Sequence, residues 1–157
     1  MAELLSLFNF EVHITASGRG GDETLARSAA FSEVQGLEAN IEVRELREGG
    51  YNLGVRRLVA KTSHPNLVLK RGVTLDRGFW EWIARCGDGT FPLPYVTGTV
   101  LQFPPGQDRD AVEPVRYRFT NGIVTKVKSA DLQATSTTNV AIEELHIAHE
   151  GLVREAP

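Results

Sequence analysis

The sequence predicts a mainly β protein with a single α-helix. Three observations carry this prediction: short segments alternate apolar and polar residues, breaks with glycine or proline separate them, and one segment has strong helical spacing. The chain has 157 residues and 41% hydrophobic content. This is the size of one domain, residues 1–157, and it is enough to bury a core without disulfides or metal ions.

Period-two alternation predicts the strands of the first half of the chain. Residues 8–14 form a half-buried strand, and residues 30–35 form a second one. Residues 17–22 contain three glycines between these strands and indicate an exposed loop. From residue 37 to residue 44 aliphatic side chains alternate with polar and charged ones, which predicts a strand with one apolar and one charged face.

The stretch that follows, "VRELREGGYNLGVRRLV", interrupts this alternation with charges, glycines and a tyrosine. Strands are expected to resume over residues 53–60, 66–71 and 98–103. Residues 115–127 predict a hairpin, because Asn-Gly between alternating runs is a strong turn signal. A three-residue turn over residues 120–122, with Gly122 at positive φ, keeps the apolar residues on one face.

The predicted helix covers about residues 76–86. Either Thr74 or Asp76 can cap its beginning, and Gly87 stands where a left-handed C-cap is expected. Trp80 lies off the apolar stripe and is expected to pack at the periphery. The stripe consists of Leu75, Phe79, Trp82, Ile83 and Cys86.

The last segment, "NVAIEELHIAHEGL", fits two patterns. Helical spacing links Ala141, Leu145, Ala148 and Leu152. A strand fits equally well if its phase shifts at Glu143-Glu144, as a bulge would produce. Periodicity does not choose between the two.

Composition excludes several classes of protein. The net charge of -3 disfavours tight binding to nucleic-acid phosphates. Cys86 is the only cysteine, so an intrachain disulfide is excluded. No apolar run approaches the ~18 residues of a membrane span, which predicts no membrane insertion. The first residues lack the features of a signal peptide, so synthesis in a cytoplasm is expected, with another route out if the protein works outside the cell.

No motif predicts an enzyme. His146 and His149 do not have the order of a zinc-protease helix, and they point to opposite faces if the segment is a strand. The glycine-rich segment at residues 17–24 lacks the ending of a phosphate-binding loop. No serine stands in a nucleophile elbow. We therefore expect no catalytic residue, no cofactor and no bound metal.

Four segments in order resemble the tail tube proteins of contractile phages and the inner-tube proteins of phage-tail-like injection systems. They are "FNFEVHI", "AFSEVQGLEANIEVRELREGGYN", "LVLKRGVTLDRGFWEWI" and "VAIEELHIAHEGL". The resemblance implies a β-barrel or sandwich of two sheets with one flanking helix, and it makes the last segment a strand. It also implies hexameric rings that stack into a tube inside a contractile sheath.

The same resemblance assigns the partners and the candidate contact residues. The partners are other copies of the chain, sheath, baseplate and tape-measure proteins, and DNA or protein cargo in transit. Residues 44–59 become an extended arm that reaches the neighbouring ring, with Tyr51 as an aromatic anchor. The expected arm contacts are Arg47, Glu48, Gly49, Gly50, Tyr51 and Asn52, and the candidate lumen face is Glu38, Asn40, Glu42 and Arg44.

Two other functions are compatible with parts of the sequence, and a third finds no support in it. Long segments at residues 17–28 and 104–114 suit a tube initiator next to a baseplate, or decoration that faces the sheath. A small-molecule-binding β-barrel would be a monomer with an apolar cavity, and it gives the arm no role. A hydrolase would need a convergent nucleophile, base and oxyanion donors, and the sequence offers no such set.

Overall fold

The computed structural model describes residues 5, 7–18, 21–26, 31–89, 91–106, 112–135 and 138–155. In this part of the chain the protein is mainly β with one helix, as predicted. The elements are β1 (Phe10–Gly18), β2 (Gly21–Ala26), β3 (Phe31–Gln35), β4 (Asn40–Leu46), β5 (Arg56–Ser63), β6 (Leu67–Gly72), α1 (Gly78–Gly87), β7 (Val96–Gln102), β8 (Val115–Lys128), β9 (Ile142–Ala148) and β10 (Gly151–Glu155).

Two antiparallel sheets share the long strand β8. The N-terminal half of β8 lies between β7 and β10, and the path continues from β7 through β1 to β2. The C-terminal half of β8 pairs with β9, and that path continues through β6 to β3. Strands β2 and β3 are the two ends of the path and do not pair with each other, so the two sheets form an open structure.

The hairpin predicted at residues 120–122 is wrong, because residues 115–128 form one continuous strand. The strand bends at Asn121, whose φ is +50°, whereas Gly122 does not have a positive φ. The β9–β10 connection holds this bend: Glu150 N donates to Thr120 O at 3.1 Å, and Asn121 Nδ2 donates to Glu150 Oε2 at 2.7 Å. The strand continues because each half pairs with different neighbours.

Phe119 fills the space beside this bend. A Cβ atom on Gly98 would lie 2.3 Å from the Phe119 ring, and a Cβ on Gly122 would lie 2.9 Å from the same ring and from the Ile147 side chain. Both glycines are therefore required by close packing, not by turn geometry. The fully buried core around this point consists of Val12, Ile14, Leu67, Leu69, Phe79, Trp82, Val96, Phe119, Leu145 and Ile147.

The loop predicted at residues 17–22 is also wrong in part. Strand β1 continues to Gly18 and pairs with β2, with Ser17 opposite Asp22. Arg19 and Gly20, like Ala30 of the second predicted strand, lie outside the described residues. Backbone pairing extends the strand beyond the apolar alternation that sequence analysis can detect. At its other end Phe8 precedes β1 and is exposed.

The helix agrees with the prediction in its middle and differs at its ends. Phe79 and Trp82 are buried, but Leu75 precedes the helix and is 100% exposed. The N-cap is neither Thr74 nor Asp76 but Arg77, which makes no side-chain capping hydrogen bond. Asp76 stands one residue earlier, and its Oδ1 accepts a hydrogen bond from Gly78 N at 3.0 Å. Asp88 keeps helical dihedrals, so the left-handed residue is Gly89 (φ +67°) and not Gly87.

The last segment is a strand, as the resemblance implied. Its phase does not shift at Glu143-Glu144, because Glu143 points inward on the same side as Leu145 and Ile147. Arg71 Nε donates to Glu143 Oε2 at 2.9 Å, and both side chains are only 4% exposed. Trp80 Nε1 donates to the other oxygen, Glu143 Oε1, at 2.8 Å. Neutralisation by these donors is what allows a carboxylate on the core face.

We predict that Gly98→Ala destabilises the fold by about 1–3 kcal/mol, because the new methyl group overlaps the Phe119 ring. Urea unfolding monitored by tryptophan fluorescence measures this change. Gly87→Ala is the matched control, since a Cβ on Gly87 meets no atom within 4 Å. Equal stability of the two variants would contradict the packing role of Gly98.

Candidate functional site: the β4–β5 hairpin

Strands β4 and β5 form a separate two-stranded sheet that stands clear of the rest of the domain. They pair from Asn40–Ser63 to Leu46–Arg56 and do not pair with the larger sheet. Within the described residues, neither strand packs extensively against any other element. All residues of β4 are exposed. An isolated two-stranded hairpin is only marginally stable in water, so this arrangement favours a hairpin that packs on a partner.

One face of this hairpin carries three exposed aliphatic side chains next to Glu45, Arg57 and Thr62. Ile41, Val43 and Val59 lie on this face and are 57%, 53% and 76% exposed. Val43 and Val59 are directly paired across the two strands, where side chains contact each other. A contiguous exposed aliphatic surface of this kind is typical of an interaction site. We call Ile41, Val43 and Val59 the apolar hairpin face.

The opposite face is mixed in both strands, because Leu46 of β4 lies on it and is 41% exposed. Asn40, Glu42 and Arg44 alternate on this side and are exposed, whereas Leu58 of β5 is paired with Arg44 and half exposed. Glu38, the fourth candidate lumen residue, precedes β4 and is exposed as well. The structure therefore brings Asn40, Glu42 and Arg44 onto one face.

The tip of the hairpin contains the predicted contact residues, Arg47 to Asn52. Glu48 Oε2 accepts a hydrogen bond from Arg56 Nε at 2.7 Å, and the Arg56 guanidinium lies 5.4 Å from the centre of the Tyr51 ring. Gly50 has a φ of +92°, which favours glycine. Sequence analysis did not single out Arg56, whose hydrogen bond to Glu48 connects the two sides of the tip, or Leu53, which is exposed.

The root of the hairpin is fixed by a close backbone contact. Gly36 has a φ of +89°, and a Cβ atom there would lie 2.3 Å from Asn66 O. Glu38 N donates to Gly36 O at 2.9 Å, which tightens the turn into β4. His64 directly follows β5, and its Nδ1 lies 3.5 Å from Glu38 O, which precedes β4. The hairpin thus leaves the domain from a defined position.

A pair of histidines stands next to this root. The ring centres of His64 and His149 are 5.3 Å apart, and the Phe119 ring lies 5.9 Å from His149. His149 Nδ1 donates to Gly151 O at 3.1 Å. Burial, and then the charge of protonated His64, lower the pKa of His149 below its ordinary value. Charging both rings at once is therefore unfavourable.

The histidines do not form a metal site. His146 lies on β9 with its Nε2 3.5 Å from Glu144 Oε2, whereas His149 lies in the β9–β10 connection. Among the described residues no group of three metal-ligating side chains is close enough to hold an ion.

A cavity of about 430 Å³ opens between the two sheets. Its lining is mostly apolar, and neither β4 nor β5 packs extensively against the described strands that line it. The apolar lining residues are Leu7, Phe10, Val34, Leu37, Val100 and Tyr117.

Comparison with known proteins identifies the family. The family model of the T4-like virus tail tube protein gp19 matches residues 6–153. The chain belongs to this family, whose members are structural components of a tail tube. It is thus a tail tube protein, as the resemblance implied. No curated protein is similar enough in sequence to match the chain.

Solved structures share the fold. A chain in the structure of the anti-feeding prophage baseplate has a TM-score of 0.76 and 19% identity, with 99% of this chain and 97% of that chain covered. A chain of the sheath–tube complex of the extracellular contractile injection system PVC has a TM-score of 0.75 and 18% identity, with 98% and 93% covered. Hcp1 from Flavobacterium johnsoniae has a TM-score of 0.52 and 16% identity, with 92% and 94% covered.

In the part of the chain that the structure describes, no helix has the length and apolar character that crossing a membrane requires.

We predict that acid destabilises this root. The pKa of His149 is lower in the folded chain than in the unfolded chain. Its stabilising effect is therefore complete above the ordinary histidine pKa of about 6.5 and is lost as the pH falls below that value. His64→Gln removes one of the two charges, so the thermal midpoint of this variant should fall less between pH 7.5 and pH 5 than that of the wild type.

His13→Gln is the control, because His13 lies on β1 with its Nε2 3.3 Å from Glu11 Oε2 and is not part of the histidine pair. This variant should lose as much stability in acid as the wild type. Parallel pH profiles for the wild type and His64→Gln would show that the histidine pair does not control the acid response.

Proposed function

We propose that this chain forms hexameric rings that stack into the inner tube of a contractile tail or contractile injection system, a conduit for DNA or protein cargo. The observation that carries the proposal is a projecting hairpin with an uncovered apolar face in a member of the tail tube family. The fold it shares with chains in a sheath–tube complex and a baseplate supports sheath and baseplate proteins as partners. A tape-measure protein is a further partner in this proposal.

The hairpin supplies the contact between rings in this proposal. Burying Ile41, Val43 and Val59 against a neighbouring copy removes aliphatic surface from water, which stabilises the contact by ~25 cal/mol per Å² of buried apolar area. The tip residues Arg47 to Asn52 add polar and aromatic contacts, with Tyr51 as the anchor. The Glu48–Arg56 ion pair keeps this tip in one conformation before docking.

Free sheet edges supply the contact within a ring. Strands β2 and β3 end the sheet path, and β10 is the last strand on its side of β8. Exposed edges favour pairing with another chain. A contact between two different edges that closes by rotation produces a ring, and the closed ring has no edge left for aggregation.

The hairpin face that carries Asn40, Glu42 and Arg44 lines the channel in this proposal, together with Glu38. Glu38, Asn40, Glu42 and Arg44 are exposed and include both signs of charge, so they bind a passing polymer weakly.

Glu42→Cys, in a chain that also carries Cys86→Ser, tests this orientation. The new thiol should react slowly in assembled tubes with a thiol reagent that is too large to enter them. Equally fast reaction in tubes and in free subunits would place residue 42 on the outside.

The protein acts without catalysis or cofactor in this proposal. It is made in the bacterial cytoplasm and functions in a virion tail or in a contractile particle. A tube initiator at the baseplate differs from the main tube subunit in copy number, which quantitative mass spectrometry of purified particles measures. The open cavity favours the small-molecule-binding alternative, but that function leaves the apolar hairpin face uncovered.

Deletion of residues 48–52 tests the proposed function. The deletion shortens the turn between Leu46 and Arg56 and leaves the core intact, so the folded domain should keep its far-UV circular dichroism. Ring stacking should be lost, as seen by sedimentation and negative-stain microscopy.

Leu132→Asp is the matched control, because Leu132 is 93% exposed in a segment outside the hairpin. This variant should assemble like the wild type. A wild-type protein that stays monomeric at all concentrations would contradict the proposed function. Tubes of normal length from the deletion variant would show that the tip makes no essential contact.

A further inference from the structure

A row of alternating charges crosses the sheet that contains β3, β6, β9 and the C-terminal half of β8. Glu33 is paired with Lys70, and Lys70 is paired on its other side with Glu144. Glu144 is paired in turn with Lys128. Directly paired side chains lie on the same face of a sheet. We call Glu33, Lys70, Glu144 and Lys128 the charge row, and its signs alternate from one edge of the sheet to the other.

The charge row lies on the face of this sheet that points away from the core. On both sides of Lys70 and of Glu144 the next residues along the strand are buried, so these two side chains point the other way. Exposure rises towards the edges of the sheet. The side chains of Lys70 and Glu144 are 25% and 30% exposed, and those of Glu33 and Lys128 are 43% and 46% exposed.

The two ends of the row differ in how they are paired within the chain. Lys70 Nζ lies 3.0 Å from Glu33 Oε2. This hydrogen bond lowers the pKa of Glu33 and raises the pKa of Lys70, to which the charge of Glu144 adds. Lys128 Nζ lies 3.9 Å from Asp131 Oδ2, and the Asp131 side chain is 96% exposed, so this ion pair is weak. The cation at the end of the row can therefore bind a second carboxylate.

Both ends of the row lie on free strand edges. Strand β3 ends the sheet path, and its described partner is β6. Residues 123–128 of β8 pair with β9 on one side, and no described strand pairs with their other edge. The Cys86 side chain of α1 reaches the backbone of Val124, so the open part of this edge begins after Val124. It includes Lys128.

Strand direction selects these two edges for a contact between copies. Three antiparallel pairs separate β3 from the C-terminal half of β8, so the two run in opposite directions. The other edge strands, β2 and β10, run in the same direction as β3. Copies in a ring keep one direction along its axis. An edge of β3 therefore continues the antiparallel sheet on β8 of the next copy, whereas β2 or β10 would give a less stable parallel pair.

One register extends both the charge row and the apolar face behind it. With Lys128 opposite Glu33 of the next copy, Val127 stands opposite Val34 of that copy. Both valines are partly buried against the core of their own subunit. A slip of one residue would turn charged side chains towards the apolar face. The charges and the valines thus favour the same alignment.

We propose that Lys128 pairs with Glu33 of the neighbouring copy in the same ring, and that the charge row fixes the register of this contact. The inference rests on the proposed function and assigns the residues that align one copy with the next. The row ends in opposite charges, so every added copy continues the alternation. Closure of the ring then leaves no charge at the end of a row.

Reversal of single charges tests the pairing. Glu33→Lys and Lys128→Glu each place like charges at every boundary between copies. Each variant should therefore need about tenfold more protein than the wild type for half-maximal ring formation, measured by analytical sedimentation. Each variant also creates a like-charge pair inside its own chain, with Lys70 or with Glu144. Thermal unfolding followed by circular dichroism checks that both variants are folded.

The double variant Glu33→Lys/Lys128→Glu separates contacts between copies from contacts within the chain. It keeps both like-charge pairs inside the chain, because the two positions lie at opposite edges of the sheet. It restores opposite charges at every boundary between copies, so ring formation should return to near the wild-type concentration. An equimolar mixture of the two single variants should also form rings, since copies that alternate around a hexamer are complementary at every boundary.

Glu33→Lys/Lys126→Glu is the matched control. Lys126 is exposed on the same face of β8, but it is paired with His146 in the next row. This variant should form rings no better than Glu33→Lys alone. Rescue by this control would overturn the proposed register in favour of a shift by two residues.

The remaining outcomes separate this inference from the proposed function. Rings of wild-type affinity from both single variants, or no rescue in the double variant, would overturn the pairing and leave the proposed function intact. If a charge reversal unfolds the chain, Lys128→Gln gives the same test without a like-charge pair. It should weaken ring formation, and unchanged rings would overturn the pairing. Absence of rings in the wild type would overturn both proposals.

Discussion

The fold depends on one packing constraint, the space that the Phe119 ring occupies where β8 passes from one sheet to the other. Gly98 and Gly122 leave that space open, and Ile147 closes it from the second sheet. A strand of 14 residues can belong to two sheets because it bends at Asn121 and changes neighbours there. The other strands of the two sheets are placed relative to this shared one, since both sheet paths begin at β8, whereas β4 and β5 form a separate hairpin.

The side chains around Phe119 are buried, whereas aliphatic side chains of the hairpin are exposed to solvent. The Phe119 ring also lies next to His149, whose ring is tilted against that of His64 at the hairpin root, so the core and the projecting hairpin meet at one point. The hairpin itself has only its own two strands for support and exposes aliphatic side chains on one face. A structural subunit benefits from this arrangement, because its apolar surface is buried only when copies assemble.

A buried ion pair at the C-terminal end of β6 makes the end of the domain opposite the hairpin root rigid. The Arg71–Glu143 pair lies inside the sheet and connects β6 and β9 to α1 through Trp80. A buried pair of this kind is a weak source of stability, because desolvation offsets most of the attraction. Its effect is to hold the helix and the strand ends in one arrangement.

The sequence by itself determined the mainly β class, the helix, strands close to β3, β4 and β6, and the family, because alternation and motif order are local properties of the chain. The strand predicted over residues 53–60 instead spans Arg56–Ser63, because its pairing with β4 sets its bounds. Only the tertiary structure decided that Asn121-Gly122 continues a strand and that Glu143 points into the core. Both depend on partners distant in sequence, β7 and β10 for the first and Arg71 for the second, and such partners leave no local pattern.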